Sequence, residues 1–192
     1  MSVRRSRLVA LLAVLACITL AAAGVKASTD FGEYQVLHAR LGQPSVVEDG
    51  EITVQGVQVG TSLAKEGTVT ATSPGMFVAV TVEGAATGSE SLLRSEARLL
   101  ARGDRVYDRY GSFNSFNAKP GFAERVDFVF EVDPAEIDDL TLEIWRVEIV
   151  HGYQARLQVH LGITPGNADA WRAAGAGRVI EPVTIPVSRV LS

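Results

Sequence analysis

The run Glu124-Arg125-Val126-Asp127-Phe128-Val129-Phe130-Glu131-Val132 decides the fold. Val126, Phe128, Phe130 and Val132 fall on one side of an extended chain and Arg125, Asp127 and Glu131 on the other, a period of two that gives a strand one core face and one wet face. No helix places those residues together. Outward from this run the same pattern recurs. Leu140, Leu142 and Ile144 alternate, and the phase then switches at Trp145-Arg146 so that Val147 and Ile149 flank Glu148, as a β-bulge would produce. Ile52 and Val54 give way to Val57 and Val59 across Gly56, where glycine accommodates a kink at little cost.

Further strands are expected at Tyr34 to Leu41, Met76 to Glu83, Leu92 to Ala101, Arg156 to Ile163 and Val179 to Val187. Pro182 and Pro186 mark the last of these as an edge strand. Ser73-Pro74-Gly75, Arg102-Gly103-Asp104, Lys119-Pro120-Gly121 and Asp133-Pro134 supply turns between the runs. About eight strands at this spacing predict an all-β sandwich. One short helix is expected over Asn167 to Ala174, capped by Asn167 and closed by Gly175, with Trp171 free to pack on the domain.

The N-terminus reads differently. Arg4, Arg5 and Arg7 precede Leu8 to Val25, in which Thr19 is the only polar side chain. Positive charge before an apolar run leaves the N-terminus in the cytoplasm and sends the rest of the chain outside, so residues 28–192 are expected to be extracytoplasmic. The run is long for a signal-peptide core and barely long enough for a span, so residues 1–27 are read either as a cleaved signal peptide or as a retained hydrophobic helix. Cys17 lies within this run and is followed by more apolar residues, which argues against acylation and for a small buried residue. With no cysteine after it, the exported domain has no disulfide, thiol nucleophile or thiolate-held metal.

Charge narrows the partners. From Ser28 onward 14 basic residues face 22 acidic ones, a net charge of −8, so a nucleic-acid partner is excluded as the main function. The composition is otherwise that of a globular domain, with 47% hydrophobic and 21% charged residues.

The order of motifs carries a resemblance. Gly75-Met76-Phe77-Val78-Ala79-Val80-Thr81-Val82 is followed by Arg102-Gly103-Asp104-Arg105-Val106-Tyr107, then by Pro120-Gly121 and Phe128-Val129-Phe130-Glu131-Val132, and finally by Leu140-Thr141-Leu142. This resembles the telokin-like, immunoglobulin-like extracytoplasmic domains of actinobacterial and firmicute surface proteins over roughly Glu51 to Trp145. The resemblance implies an immunoglobulin-like sandwich and an exported location. It brings no catalytic residues, and some 45 residues extend past its end.

Tyr107, Tyr110, Phe113, Phe116 and Phe122 lie in one segment among Gly, Ser and Asn, the mixture of rigid rings and adaptable polar groups that recognition loops use. These five are the expected binding residues, against the alternative that the rings plug one end of the sandwich. The acidic stretch Asp133 to Asp139 lacks the spacing of a calcium loop and reads as a solvated turn. His38, His151 and His160 show no paired ligand spacing. No metal or cofactor is expected. Neither a nucleophile elbow, a phosphate loop, a zinc-protease helix nor a dinucleotide fingerprint occurs, so no enzyme is expected either. The sequence thus points to a non-catalytic module of the bacterial envelope that binds an envelope protein. The alternative is an accessory protein holding a small ligand or cation.

Overall fold

The computed structural model describes residues 34–48, 50–94, 96–111, 115–146 and 154–191. The chain divides between Tyr34 and Gln35, and the described residues from Gln35 onward belong to the second unit. The leader lies outside the described residues. Among those described, no helix is long and apolar enough to cross a membrane.

The elements in chain order are β1 (Tyr34–Arg40), β2 (Ser45–Val47), β3 (Gly50–Lys65), β4 (Thr68–Ala85), β5 (Leu92–Arg94), β6 (Glu96–Ala101), β7 (Arg105–Asp108), β8 (Phe116–Ala118), β9 (Phe122–Val132), β10 (Thr141–Trp145), β11 (Gln154–His160), α1 (Ala168–Gly175), β12 (Val179–Ile180) and β13 (Val187–Val190). The protein is therefore mostly β with one short α-helix among the described residues. A five-stranded sheet in the order β1-β11-β10-β6-β7 faces a larger sheet in the order β12-β3-β4-β9-β13, with β2 beside β3, and β5 and β8 form a small ribbon. The count exceeds the expected eight because two expected runs, Leu92 to Ala101 and Val179 to Val187, each give two strands, and because β2, β7 and β8 lie outside the expected runs.

The two sheets share one core. Val78, Val80 and Val82 of β4 and Val126, Phe128, Phe130 and Val132 of β9 meet Leu99, Leu142, Ile144, Leu157 and Val159 from the five-stranded sheet. The core face of the deciding run thus does what its alternation predicts, with β4 alongside and Val80 opposite Phe128, but the face expected to be wet is covered here, with Asp127 and Val129 each only 3% exposed. The Gly56 kink is also present, as a register shift between Val54 and Gly56 against β4.

Two local expectations are corrected and a third is refined. Ser73-Pro74-Gly75 is no turn between strands but an irregularity within β4, where the register against β3 slips between Gly60 and Ser62. Proline is tolerated there because the ladder is already interrupted and its missing N–H is not needed. Asn167 stands at the start of α1, yet its Oδ1 accepts from Thr164 N at 2.7 Å and its Nδ2 donates to Gly162 O at 3.0 Å, so it ties the entering loop rather than a helix N–H. The Asp133-Pro134 turn is a short 3-10 helix, with Asp133 Oδ1 accepting from Ala135 N at 2.9 Å and Pro134 in the first turn.

The C-terminal segment is not one edge strand but a strap that reaches both edges of the larger sheet. Thr61 N and Ser62 N donate to Arg178 O at 3.0 and 3.2 Å, and β12 then lies parallel to β3 with Ile180 opposite Leu63. A few residues later Asp127 N donates to Val183 O at 2.7 Å, Val183 N donates to Asp127 Oδ2 at 2.8 Å, and β13 pairs antiparallel with the start of β9. Between these edges the strap crosses a second apolar cluster of Leu63, Phe77, Ala79, Val129 and Ile180. The larger sheet is therefore buried on both faces at this point. Farther along the same edge of β9, Tyr110 N donates to Val129 O at 2.7 Å. Covering an edge this way removes a template for pairing with other chains.

Candidate functional site

The five-stranded sheet turns one face to the core and the other outward. On β10, Leu142 and Ile144 point in while Thr141, Glu143 and Trp145 point out. The register sets Glu143 directly opposite Gln158 on β11 and opposite Arg98 on β6, and Arg98 opposite Asp108 on β7. One polar row, Gln158-Glu143-Arg98-Asp108, thus crosses four strands on the outer face.

Glu143 is the unusual member, since its side chain is only 1% exposed although it belongs to the outward face. Burying a carboxylate is costly unless its oxygens are bonded. Here Oε2 accepts from Arg98 Nε at 2.6 Å and from Arg156 Nη1 at 3.2 Å, while Oε1 accepts from Gln158 Nε2 at 2.9 Å. The two guanidinium groups also lie 5.5 and 4.9 Å from the ring centroid of Trp145, within the range of cation–π attraction. Glu143 therefore locks two arginines against one indole, and the arginines in turn shield it from water.

This arrangement predicts that Glu143→Gln, though nearly isosteric, costs about 2 kcal/mol in urea unfolding, because an acceptor becomes an NH2 facing donors. Stability and Trp145 emission both matching wild type would show that the lock does not hold.

Beside this row a cleft of about 430 Å³ is lined by Glu96, Arg98, Asp108, Arg109 and Trp145 among others. Arg109 leaves β7 to bridge Phe130 on the larger sheet, and its guanidinium sits 5.4 Å from the Phe128 ring centroid with Glu96 Oε2 at 3.5 Å. Burial lowers its pKa from the ordinary arginine value, and the Glu96 carboxylate opposes that shift.

Of the five aromatic residues expected to bind, the four that are described do not share a surface. Tyr107 is half-buried and packs against the main core, whereas Phe116 is wholly buried within it. Tyr110 stands edge-on to Phe77, centroids 4.9 Å apart, on the far side of the larger sheet. Phe122 is 40% exposed at the start of β9, opposite Val190. Phe113 lies outside the described residues. Phe116 is thus a core residue rather than a contact residue.

The acidic stretch is spent on neighbours: Glu136 meets Arg105 at 3.1 Å, Asp138 meets Arg102 at 3.0 Å and Asp139 meets His160 at 3.2 Å. His160 Nδ1 accepts from Gly162 N at 3.0 Å, which leaves Nε2 as the donor to Asp139. His38 is exposed on β1, and His151 lies outside the described residues. Among the described residues no three His, Cys, Asp or Glu side chains are grouped to hold a metal ion.

Sequence reasoning missed the outward platform. The alternation of Leu142 and Ile144 did imply that Glu143 and Trp145 share the other face. What it could not supply was the register that brings Arg98 and Arg156 to them.

No family model matches the chain, and no curated protein does. Among solved structures the fold is similar to an uncharacterized β-sandwich protein from Clostridium difficile 630, at 12% identity and a TM-score of 0.43, over 66% of this chain and 96% of that one.

Proposed function

We propose that this chain is an exported or membrane-tethered, non-catalytic binding module of the bacterial cell envelope, and that the outer face of the five-stranded sheet is its recognition surface. The observation that carries the reading is the immobilised trio of Trp145, Arg98 and Arg156 above buried Glu143. Trp and Arg dominate the energetic centres of interfaces. Side chains already fixed before contact lose less freedom on binding, which strengthens association without adding area. The exported location rests on the basic and apolar leader. Kinship with the telokin-like, immunoglobulin-like domains is part of the proposal, supported by the order of motifs from Gly75 to Leu142.

The test is site-specific photocrosslinking in cells that make the full chain. A crosslinking amino acid at Thr141, on the platform face, is expected to join a discrete envelope protein, and Trp145→Ala is expected to remove that product. The same group at Thr81, on the larger sheet, serves as control. Equal labelling from both positions, or none from Thr141, sinks the assignment of the surface.

A further inference from the structure

We propose that the cleft between β6, β7 and Trp145 binds a small zwitterion of the α-amino acid type, its carboxylate held by Arg98, its ammonium by Asp108 and its side chain against Trp145. The proposal shares Arg98 and Trp145 with the recognition surface but needs no protein partner.

Arg98 and Asp108 are direct cross-strand partners, a placement in which opposite charges ordinarily pair. They do not bond to each other. Arg98 is turned toward Glu143 through Nε and its guanidinium stands over the Trp145 ring, and no described residue accepts from its Nη1 or Nη2. The Asp108 side chain has no hydrogen bond or ion pair with any described residue, and it too lines the cleft. The Nη1 and Nη2 end of a guanidinium fork and a carboxylate therefore stand side by side without protein partners among the described residues.

The fork matches a carboxylate through two parallel N–H···O bonds. Its rotamer is fixed in advance by the 2.6 Å bond to Glu143, so little freedom remains to be lost when a ligand docks. The carboxylate of Asp108 calls for a cation next to that anion. Charge balance selects the same class: the cleft is lined by two guanidinium groups, Arg98 and Arg109, and two carboxylates, Glu96 and Asp108, of which Glu96 faces Arg109. A net-neutral lining gives a simple anion or cation no overall gain, whereas a molecule bearing both charges on one carbon meets each locally. The domain's net charge of −8 weighs further against simple anions. The remaining wall is the Trp145 indole, which favours an apolar or aromatic side chain. At about 430 Å³ the cleft lies within the usual range of small-ligand sites, roughly 300–1,000 Å³.

The experiment uses the purified full chain carrying Trp171→Phe, which leaves Trp145 as the only tryptophan. Its emission is followed while L-phenylalanine, L-leucine, N-acetyl-L-phenylalanine and L-phenylalaninamide are added in turn. L-Phenylalanine and L-leucine are expected to give saturable changes, with each blocked phenylalanine derivative weaker by about tenfold to a hundredfold because one charged partner is left unmet. Asp108→Asn, an exposed change that folding tolerates, is expected to weaken L-phenylalanine by a similar factor and leave N-acetyl-L-phenylalanine unaltered. Arg98→Met is expected to abolish both, with calorimetric titration confirming the loss and thermal unfolding confirming the fold. Absence of saturation by L-phenylalanine overturns the proposal. So does equal binding of the N-acetyl derivative, which identifies a plain anion site, or an Asp108→Asn variant indistinguishable from its parent. None of these outcomes bears on crosslinking from Thr141, so failure here is separate from failure of the recognition surface.

Discussion

Phe116→Ala is expected to lower the free energy of unfolding by about 3–5 kcal/mol, the usual cost of emptying a buried aromatic site. Phe116 has no exposed surface, belongs to the main core and lies 6.4 Å from the ring centroid of Phe128. Its position also explains Gly84. A Cβ built on Gly84 would lie 2.2 Å from Cε2 of Phe116, far inside van der Waals contact, so the ring occupies the space that a side chain on β4 would fill. Gly84→Ala is accordingly expected to cost about 2 kcal/mol by overpacking. The two changes are coupled: once Phe116 is alanine, the added methyl has room, and a double-mutant cycle is expected to return a coupling of at least about 1 kcal/mol. Urea unfolding of the four proteins measures this. Additive effects, or a Phe116→Ala variant within experimental error of wild type, would show that the ring does not fill the end of the sandwich.

That result bears on how far the sequence could be read. The alternation of Val126, Phe128, Phe130 and Val132 required only local spacing, and the core uses each of these residues. The aromatic segment was ambiguous because spacing tells which residues share a strand face, not which end of the sandwich a ring will plug. Phe116 went inside through a glycine on another strand, a pairing between residues 32 positions apart that no local pattern announces. Tyr110 went to the opposite face of the larger sheet because the chain leaves β7 and joins β9 at Phe130. The prolines at 182 and 186 predict one edge strand, but they separate two short strands that sit on opposite edges of one sheet.

The outward platform was hidden for a related reason. Each strand advertises a polar face, and polar faces ordinarily read as solvated surface. Glu143 becomes distinctive only when the register brings Arg98, Arg156 and Gln158 to it. Burial of an acid on a nominally wet face is a property of three strands together. Local consistency makes the sandwich legible, and departures from it collect where a fold carries a site.

Truncation after Arg178, which removes the strap, is expected to destabilise the domain by on the order of 5 kcal/mol, from the lost burial of Ile180 and renewed exposure of Leu63, Phe77 and Val129. Ile180→Asn is expected to reproduce about half of this while leaving the chain its full length. The strap is fastened at several points of unequal strength. Asp127 and Val183 exchange two bonds at 2.7 and 2.8 Å, Ile180 is buried, and Arg189 pairs with Glu83, whereas every residue of β13 is exposed. Hydrogen exchange should therefore find the β13 amides opening before those of β4 and β9. The Glu83 pairing adds a pH dependence. Its hydrogen bond and charge interaction with Arg189 hold the Glu83 carboxyl below its ordinary pKa against the opposing effect of burial, so this contribution is present above the unfolded-state value and fades as pH falls through the lowered one. In the truncated chain the Asp127 amide should lose its protection even where the sandwich remains folded. Full protection of Asp127 together with unchanged stability would mean that the strap is an appendage, and that the outer face of the larger sheet is covered by something other than residues 179–191.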